Sequence, residues 1–181
     1  MSLFDEYVNE LIGIEGGYSD HESDSGGRTR YGITEKVARR YGYTGEMRDL
    51  PVSLAKHIYF EEFWLGLSLD RIETLSPSIV KELFDTGVNT GMGRAAEFLQ
   101  MSLNAFNRRG LDYPDIAVDR DIGPRTLGAL KQFLKFRGSE GELVLLRSLN
   151  SFQCVYYLQL AQARPKDEDF AFGWVLNRVV I

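Results

Sequence analysis

A predicted helix that ends in a carboxylate constrains this chain more than any other feature. Apolar residues recur at helical spacing near the N-terminus, and they are Leu3, Phe4, Tyr7, Val8, Leu11 and Ile12. Glu15 falls one turn beyond Leu11 on the same stripe, where a core side chain is expected. Gly16 and Gly17 follow and suit a left-handed C-terminal cap. The sequence therefore places Glu15 in the last helical turn.

This position favours the protonated form of Glu15. Partial burial on an apolar stripe and the negative end of the helix dipole both disfavour a carboxylate, so they should raise the pKa of Glu15. A carboxyl group that keeps its proton near neutral pH can act as a general acid. The alternative is a structural glutamate, which is the commoner role of a single Glu near a helix end.

A loop rich in Ser, Asp and Gly follows and carries more acidic residues. Asp24 comes nine positions after Glu15, and Thr29 comes five positions later. A helix-end glutamate that faces a loop aspartate is typical of glycosidic cleavage, where one group protonates the leaving oxygen and the other activates water or stabilises the sugar cation. Asp20 and Glu22 lie in the same loop and compete with Asp24 for the second role. An aspartate in such a loop also often makes only a local turn bond.

Three motifs in this region resemble a known enzyme family. They are Glu-Gly-Gly-Tyr at 15–18, Asp-x-Gly-Gly-x-Thr at 24–29 and Gly-Ile-Thr at 32–34. Together they resemble the signature of glycoside hydrolase family 108, the N-acetylmuramidases, and more loosely that of the phage-type lysozymes. The usual proline after the aspartate is Ser25 here, a change in loop stiffness that leaves the chemistry intact.

The resemblance implies a reaction and its residues. The reaction is hydrolysis of the β-1,4 bond between N-acetylmuramic acid and N-acetylglucosamine in peptidoglycan. Glu15 is the implied acid, Asp24 the base or electrostatic partner, and Thr29 a hydroxyl that positions water. Tyr18 and Tyr31 are expected to bind substrate. No metal or organic cofactor is required, and the choice between inversion and retention stays open because it depends on the separation of the two carboxyl groups.

The middle of the chain reads as apolar helices joined by polar turns. The aromatic residues at 59–64 are expected to be mostly core, or else a cleft rim. A helix that starts near residue 76 is expected to break at Gly87. The polar run around it predicts either a capped helix–turn–helix or a wall of the substrate cleft, in which Asp85, Asn89 and Thr90 contact substrate. In family 108 this run begins a predicted peptidoglycan-binding region.

Further motifs extend the resemblance toward the C-terminus. Residues 118–126 look like the Val-Asp-Gly-x-Ile-Gly-Pro-x-Thr signature of peptidoglycan-binding helical modules, with Arg120 in place of the usual glycine. A turn with positive φ would be strained by that arginine. Residues 138–141 are expected to separate two helices, and residues 170–180 match the terminal motif of the family.

These patterns predict a mainly α, lysozyme-like helical fold with at most a small β-hairpin near residues 24–32. Residues 1–75 are expected to form the catalytic lobe. Residues 76–181 are expected to form a helical, peptidoglycan-binding-like lobe that packs as one structural unit with the first.

Charge and residue spacing disfavour nucleic acid, zinc and calcium as ligands. The net charge of −5 and the scattered basic residues disfavour nucleic acid as a partner. His21 and His57 lie in different predicted elements without a ligand-spaced partner, which argues against zinc. The run Asp20-x-Glu22-x-Asp24 suggests a calcium loop but lacks the turn glycine and the closing glutamate.

The single cysteine and the absence of long apolar runs set further expectations. Cys154 cannot form an internal disulfide, and its apolar neighbours predict a small buried side chain. No run approaches the roughly 20 residues of a membrane span, and the N-terminus lacks a signal-peptide pattern. We expect a monomer made in the cytoplasm, without stable membrane insertion, that reaches the periplasm or cell wall by a holin-type or other export route. Its expected partner is the glycan strand of peptidoglycan.

Two other functions fit the same features. One is a non-catalytic peptidoglycan-binding or secretion-associated protein on the same fold. The joint presence of Glu15, Asp24 and Thr29 weighs against it, because a pure binder needs no proton donor. The other is a lytic transglycosylase, which would use the glutamate without a water-activating aspartate. Because the family is typical of phages and prophages, an endolysin or an autolysin is the expected role.

Overall fold

The fold is mainly α-helical, as predicted, and the described residues contain one small sheet of three short strands. The computed structural model describes residues 2–15, 17–19 and 28–179, with the backbone alone at residues 14 and 15. The chain divides into two compact units between Leu65 and Gly66. Within the described ranges, no helix is long and apolar enough to cross a membrane.

The N-terminal unit contains the sheet. Its elements are α1 (Leu3–Glu15), β1 (Tyr18–Ser19), β2 (Thr29–Arg30), β3 (Ile33–Thr34), α2 (Glu35–Arg40) and α3 (Val52–Tyr59), and a π-helical turn (Phe60–Leu65) follows α3. The strands are antiparallel in the order β1-β2-β3. Ser19 lies opposite Thr29, which in turn lies opposite Thr34.

The apolar stripe of α1 packs against the end of the same unit. Val8 is fully buried, and Leu11 is nearly so. The Phe4 ring meets Phe60 and Trp64 edge to face, with ring centroids 5.1 and 5.3 Å apart. Edge-to-face pairs of large rings stabilise beyond the area that they bury. These contacts anchor α1 on the π-helical turn and so fix the direction of the helix that ends at Glu15.

The C-terminal unit is built from helices. They are α4 (Leu69–Ile72), α5 (Pro77–Thr90), α6 (Met92–Phe106), α7 (Pro124–Ala163) and α8 (Glu168–Arg178). Ser76 caps α5, since its hydroxyl accepts a hydrogen bond from the backbone N–H of Ile79 at 3.1 Å. Its largest helices, α5, α6 and α7, enclose a core whose fully buried members include Leu83, Leu99, Leu103, Leu130 and Leu145.

The predicted break at Gly87 is wrong, because α5 continues through it to Thr90. A Cβ built on Gly87 would lie 2.6 Å from Cδ1 of Leu67. The glycine therefore permits close packing inside a helix. The chain turns instead at Gly91, whose φ of +95° is in the region that favours glycine.

Two other irregularities appear where the sequence predicts them. Gly138 interrupts α7 with φ +57° and ψ −146°, so that two helical segments meet there. Arg120 has φ +68°, the strained conformation expected from its place in a glycine position. Its backbone N–H donates to Oε1 of Gln100 at 3.0 Å, and its guanidinium pairs with Glu97 at 3.0 Å. These contacts offset part of the strain.

The prediction of a buried Cys154 is wrong, because the side chain is only partly buried. This part of α7 directs Gln153 and Tyr157 inward, with 0% and 3% exposure. The adjacent Val155 is 50% exposed. Apolar neighbours in the sequence therefore do not show that a given side chain, such as that of Cys154, lies in the core.

Candidate active site

In the sequence, the first strand of the sheet follows closely after the end of α1. The helix ends at Glu15, as predicted. The side chain of Glu15 lies outside the described residues, as do Asp20, Glu22 and Asp24. Only two residues separate Glu15 from β1, so the Cα atoms of Glu15 and Tyr18 are at most about 11 Å apart. Because β1 pairs with β2, the helix end is tied to the strand that carries Thr29.

A two-residue turn joins β2 to β3. Its residues, Tyr31 and Gly32, have φ values of +53° and +75°. Positive φ at both central positions is what a type I′ hairpin turn requires. A left-handed conformation costs a residue with a Cβ about 1–2 kcal/mol, so Tyr31 is held there by its surroundings.

Tyr59 of α3 holds this turn in place. Its hydroxyl donates to the backbone carbonyl oxygen of Tyr31 at 2.9 Å, and its side chain is 2% exposed. A Cβ built on Gly32 would clash with the same hydroxyl oxygen, and the positive φ of Gly32 also favours glycine. The sequence predicts the aromatic residues at 59–64 to be mostly core, or else a cleft rim, and does not predict this role. The sequence feature that could have indicated it is the position of Tyr59 on an apolar helical stripe, because a buried phenol needs a hydrogen-bond partner.

Three predicted site residues lie on the sheet or on the turn that joins β2 to β3. Thr29 is half-buried in β2, and Tyr18 is 38% exposed in β1. The guanidinium carbon of Arg48 lies 5.7 Å from the centroid of the Tyr18 ring. The Tyr31 hydroxyl accepts a hydrogen bond from Nη2 of Arg30 at 3.0 Å. Both aromatic side chains thus have an arginine neighbour, and in the strand register Tyr18 lies opposite Arg30, the residue after Thr29.

The other predicted substrate-binding residues lie in the C-terminal unit, on α5. Oδ1 of Asp85 accepts hydrogen bonds from Nη1 of Arg178 at 3.1 Å and from Nδ2 of Asn89 at 3.0 Å. Oδ2 accepts from Nε2 of Gln153 at 2.9 Å. Thr90 is 8% exposed, and its hydroxyl donates to a backbone carbonyl one turn earlier. Asp85 therefore links α5 to α7 and α8, and substrate contact by these residues stays a prediction.

Glu82, one turn before Asp85, is a buried acid that the sequence motifs do not single out. Burial raises the pKa of Glu82 to about 7, and the nearby carboxylate of Asp85 adds to the shift. Asn150 donates a hydrogen bond to it. Two buried atoms of the same region, Oε1 of Gln153 and the hydroxyl of Tyr157, have no hydrogen-bond partner among the described residues. The sequence feature that could have indicated this pair is the spacing of Glu82 and Asp85, two acids three positions apart on one helix.

No cluster of three or more His, Cys, Asp or Glu side chains that could hold a metal ion occurs in the part of the chain that the structure describes.

Comparison with known proteins divides the chain into two matched parts. Residues 8–91 match the family described as Glycosyl hydrolase 108, and residues 94–179 match the one described as Predicted Peptidoglycan domain. No curated protein sequence matches the chain significantly. Among solved structures, Brucella abortus SagA is similar, with a TM-score of 0.60, 21% sequence identity and 98% of both chains covered. At that identity the likeness indicates a shared fold.

Proposed function

Residues 8–91 place the chain in glycosyl hydrolase family 108, and from that membership we propose that Glu15, Asp24 and Thr29 carry its reaction. The chain is a cell-wall lytic glycoside hydrolase, an N-acetylmuramidase, to which residues 94–179 add a predicted peptidoglycan domain. It hydrolyses the β-1,4 bond between N-acetylmuramic acid and N-acetylglucosamine in peptidoglycan.

Each proposed residue has a separate role. Glu15 protonates the oxygen of the leaving sugar, and Asp24 activates water or stabilises the sugar cation. Thr29 orients the water through its hydroxyl. The observation that best supports this proposal is the backbone arrangement, in which α1 ends at Glu15 and β1 then pairs with the strand that carries Thr29. A proton donor and a water-positioning hydroxyl are thereby tied to one small sheet.

Substrate contacts are proposed on the same sheet. Tyr18 lies on β1 and Tyr31 lies on the turn after β2, and their phenol rings offer both an apolar face and a hydrogen-bonding hydroxyl. We infer that they contact the glycan next to the bond that is cleaved. The enzyme acts at the bacterial cell wall, and a phage or prophage role with holin-type export fits the family and stays a prediction.

The test of this proposal is clearance of a chloroform-treated Gram-negative cell suspension. Glu15→Gln keeps shape and polarity but removes the proton, and general acid catalysis contributes roughly 10²–10⁴-fold. We expect the lysis rate to fall by that order. Glu6→Gln is the matched control, because Glu6 is exposed on the same helix. It should lyse cells at the wild-type rate.

The second carboxylate is assigned by comparing neighbours in the loop. Asp24→Asn should lose a factor comparable to or smaller than that of Glu15→Gln, whereas Asp20→Asn and Glu22→Gln should stay near the wild type.

A folded Glu15→Gln variant that retains more than about a tenth of the activity overturns the assignment of the acid. Anhydro-sugars in the mass spectrum of the released fragments would reveal a transglycosylase instead. A wild-type protein that binds cell walls without clearing them would be a binding protein.

A further inference from the structure

A groove in the C-terminal unit combines apolar side chains with an arginine. It lies between α6 and α7 and has a volume of about 370 Å³. Its lining includes Arg94, Glu97, Phe98, Met101, Phe152 and Tyr156, and Glu97 is the one acid among the described residues that line it. All of its lining residues fall within residues 94–179, which match the predicted peptidoglycan domain. The groove is thus a candidate for the surface through which that domain binds its ligand.

The aromatic rings of the groove are partly covered by other groups. Phe98 and Phe152 stack on each other, with centroids 5.1 Å apart and planes 14° from parallel, and Phe98 is only 8% exposed. The guanidinium carbon of Arg94 lies 4.2 Å from the centroid of the Tyr156 ring. A sugar ring stacks on an open aromatic face, and each of these rings has a face already occupied. Met101, 41% exposed at the rim, suits small aliphatic groups better.

Arg94 is held in place, and it has no ionic partner among the residues that the structure describes. Its Nη1 donates to the backbone carbonyl oxygen of Thr90 at 3.0 Å, and the Tyr156 ring supports its guanidinium. Glu97, one turn further along α6, is paired with Arg120 at 3.0 Å. Within the described ranges, no carboxylate lies at ion-pair distance from Arg94. Since a guanidinium has five N–H donors, this half-buried cation keeps donors for a ligand.

We propose that this groove binds the stem peptide of peptidoglycan, with Arg94 receiving a carboxylate of the peptide. The peptides of peptidoglycan are short and carry free carboxylates together with alanine methyl groups. A carboxylate on a preorganised guanidinium makes short, charge-assisted hydrogen bonds. The methyl groups contact the apolar side chains, such as Met101. This inference rests on the proposed function, because it takes peptidoglycan as the substrate.

Charge supports one local contact rather than a broad electrostatic attraction. The chain carries a net charge of −5, so its overall field repels an anionic peptide. The attraction must then come from a cation at the binding site. Arg94 meets that requirement, because Glu97, the acid that also lines the groove, is paired with Arg120 at 3.0 Å.

The test is an NMR titration of the full-length protein with a glycan-free peptide, L-alanyl-γ-D-glutamyl-meso-diaminopimelyl-D-alanine. Arg94→Met should weaken binding at least about ten-fold, since bonds to charged groups are worth this much or more. Arg94→Lys keeps the charge but loses the planar fork, so its affinity should fall between the two. Arg125→Met is the matched control. Arg125 is exposed near the start of α7 and lies outside the groove, so the variant should bind as the wild type does.

Two further measurements do not depend on the folding of the Arg94 variants. Met101→Glu adds a negative charge at the exposed rim and should weaken binding, whereas Leu111→Glu, at a position 73% exposed elsewhere in the unit, should not. The same peptide with its carboxylates amidated should bind more weakly to the wild type.

The outcomes separate this inference from the proposed function. The peptide has no glycosidic bond, so its binding does not require Glu15. Peptide binding without wall cleavage would contradict the proposed reaction and support the groove. Wall cleavage without peptide binding overturns the groove alone, as does equal binding by the wild type and Arg94→Met. Binding of a peptide-free glycan but not of the peptide also overturns it.

Discussion

At the scale of single residues, the burial of Glu82 makes the stability of the fold depend on pH. The unfolded chain releases the proton of this carboxyl near pH 4.5, whereas burial raises its pKa in the folded chain to about 7. Between these values the folded state binds more protons, so the free energy of unfolding falls as the pH rises. The loss is at most on the order of 3 kcal/mol, because each pKa unit corresponds to about 1.4 kcal/mol.

Glu82→Gln should remove this dependence. The amide stays neutral and can still accept the hydrogen bond from the Thr86 hydroxyl, which lies at 3.3 Å. We expect the variant to be more stable than the wild type at pH 8 and close to it at pH 5, as measured by urea unfolding. Glu140→Gln, at an exposed position, is the control. Equal pH slopes for the wild type and Glu82→Gln would show that Glu82 is ionised in the folded state.

Thr29 allows a second test at this scale, which separates its hydroxyl from its shape. Thr29→Val keeps the branched side chain but removes the hydroxyl, and Thr29→Ser keeps the hydroxyl. If the hydroxyl orients the attacking water, the valine variant should lose roughly ten-fold in rate, about the value of one hydrogen bond. The serine variant should lose much less. A similar loss in both variants, at unchanged melting temperature, would point to packing instead.

At the scale of elements, two of the three glycines in α7 have opposite roles. Gly138 adopts a φ and ψ that are nearly restricted to glycine, whereas Gly128 lies in regular helix. A Cβ built on either would meet nothing within 4 Å, so conformation alone decides the outcome. Gly138→Ala should destabilise the protein by about 1–3 kcal/mol. Gly128→Ala should stabilise it by up to about 1 kcal/mol. Thermal melts of both variants check the opposite signs, and a stabilising Gly138→Ala would contradict the break in α7.

Elements were predictable where a local signal agreed with the packing. The paired glycines after Glu15 correctly predicted the end of α1, and the pattern around Arg120 correctly predicted its positive φ. The role of Gly87 was predicted wrongly, because the sequence does not distinguish a glycine that leaves room for the Leu67 side chain from a glycine that ends a helix. The hydrogen bond from Tyr59 to the hairpin was missed for a related reason. It joins positions 28 residues apart, and no local pattern encodes such a contact.

At the scale of the whole molecule, the C-terminal unit begins before the predicted lobe boundary at residue 76. Leu67, Leu69 and Ile72 are at most 1% exposed and belong to this unit. Truncating one buried Leu or Ile costs about 2–5 kcal/mol, so losing all three approaches the 5–15 kcal/mol that stabilises a typical domain. The fragment 66–181 should therefore melt cooperatively, and the fragment 76–181 should not. Calorimetry of both checks this, and equal melting temperatures would contradict it.

The hydroxyl of Tyr59 on the β2–β3 turn also bears on the order of folding. Two consecutive residues of positive φ, one of them a tyrosine, make a poor turn in isolation. The hairpin therefore needs its contact with α3. That contact closes a loop of about 28 residues, and the chain loses the entropy of loop closure before the contact stabilises the fold. Tyr59→Phe should consequently speed unfolding and leave the folding rate unchanged in stopped-flow experiments. The strand that carries Thr29 would then reach its final geometry after the transition state, so a chain could collapse around its core before it is able to cleave a cell wall.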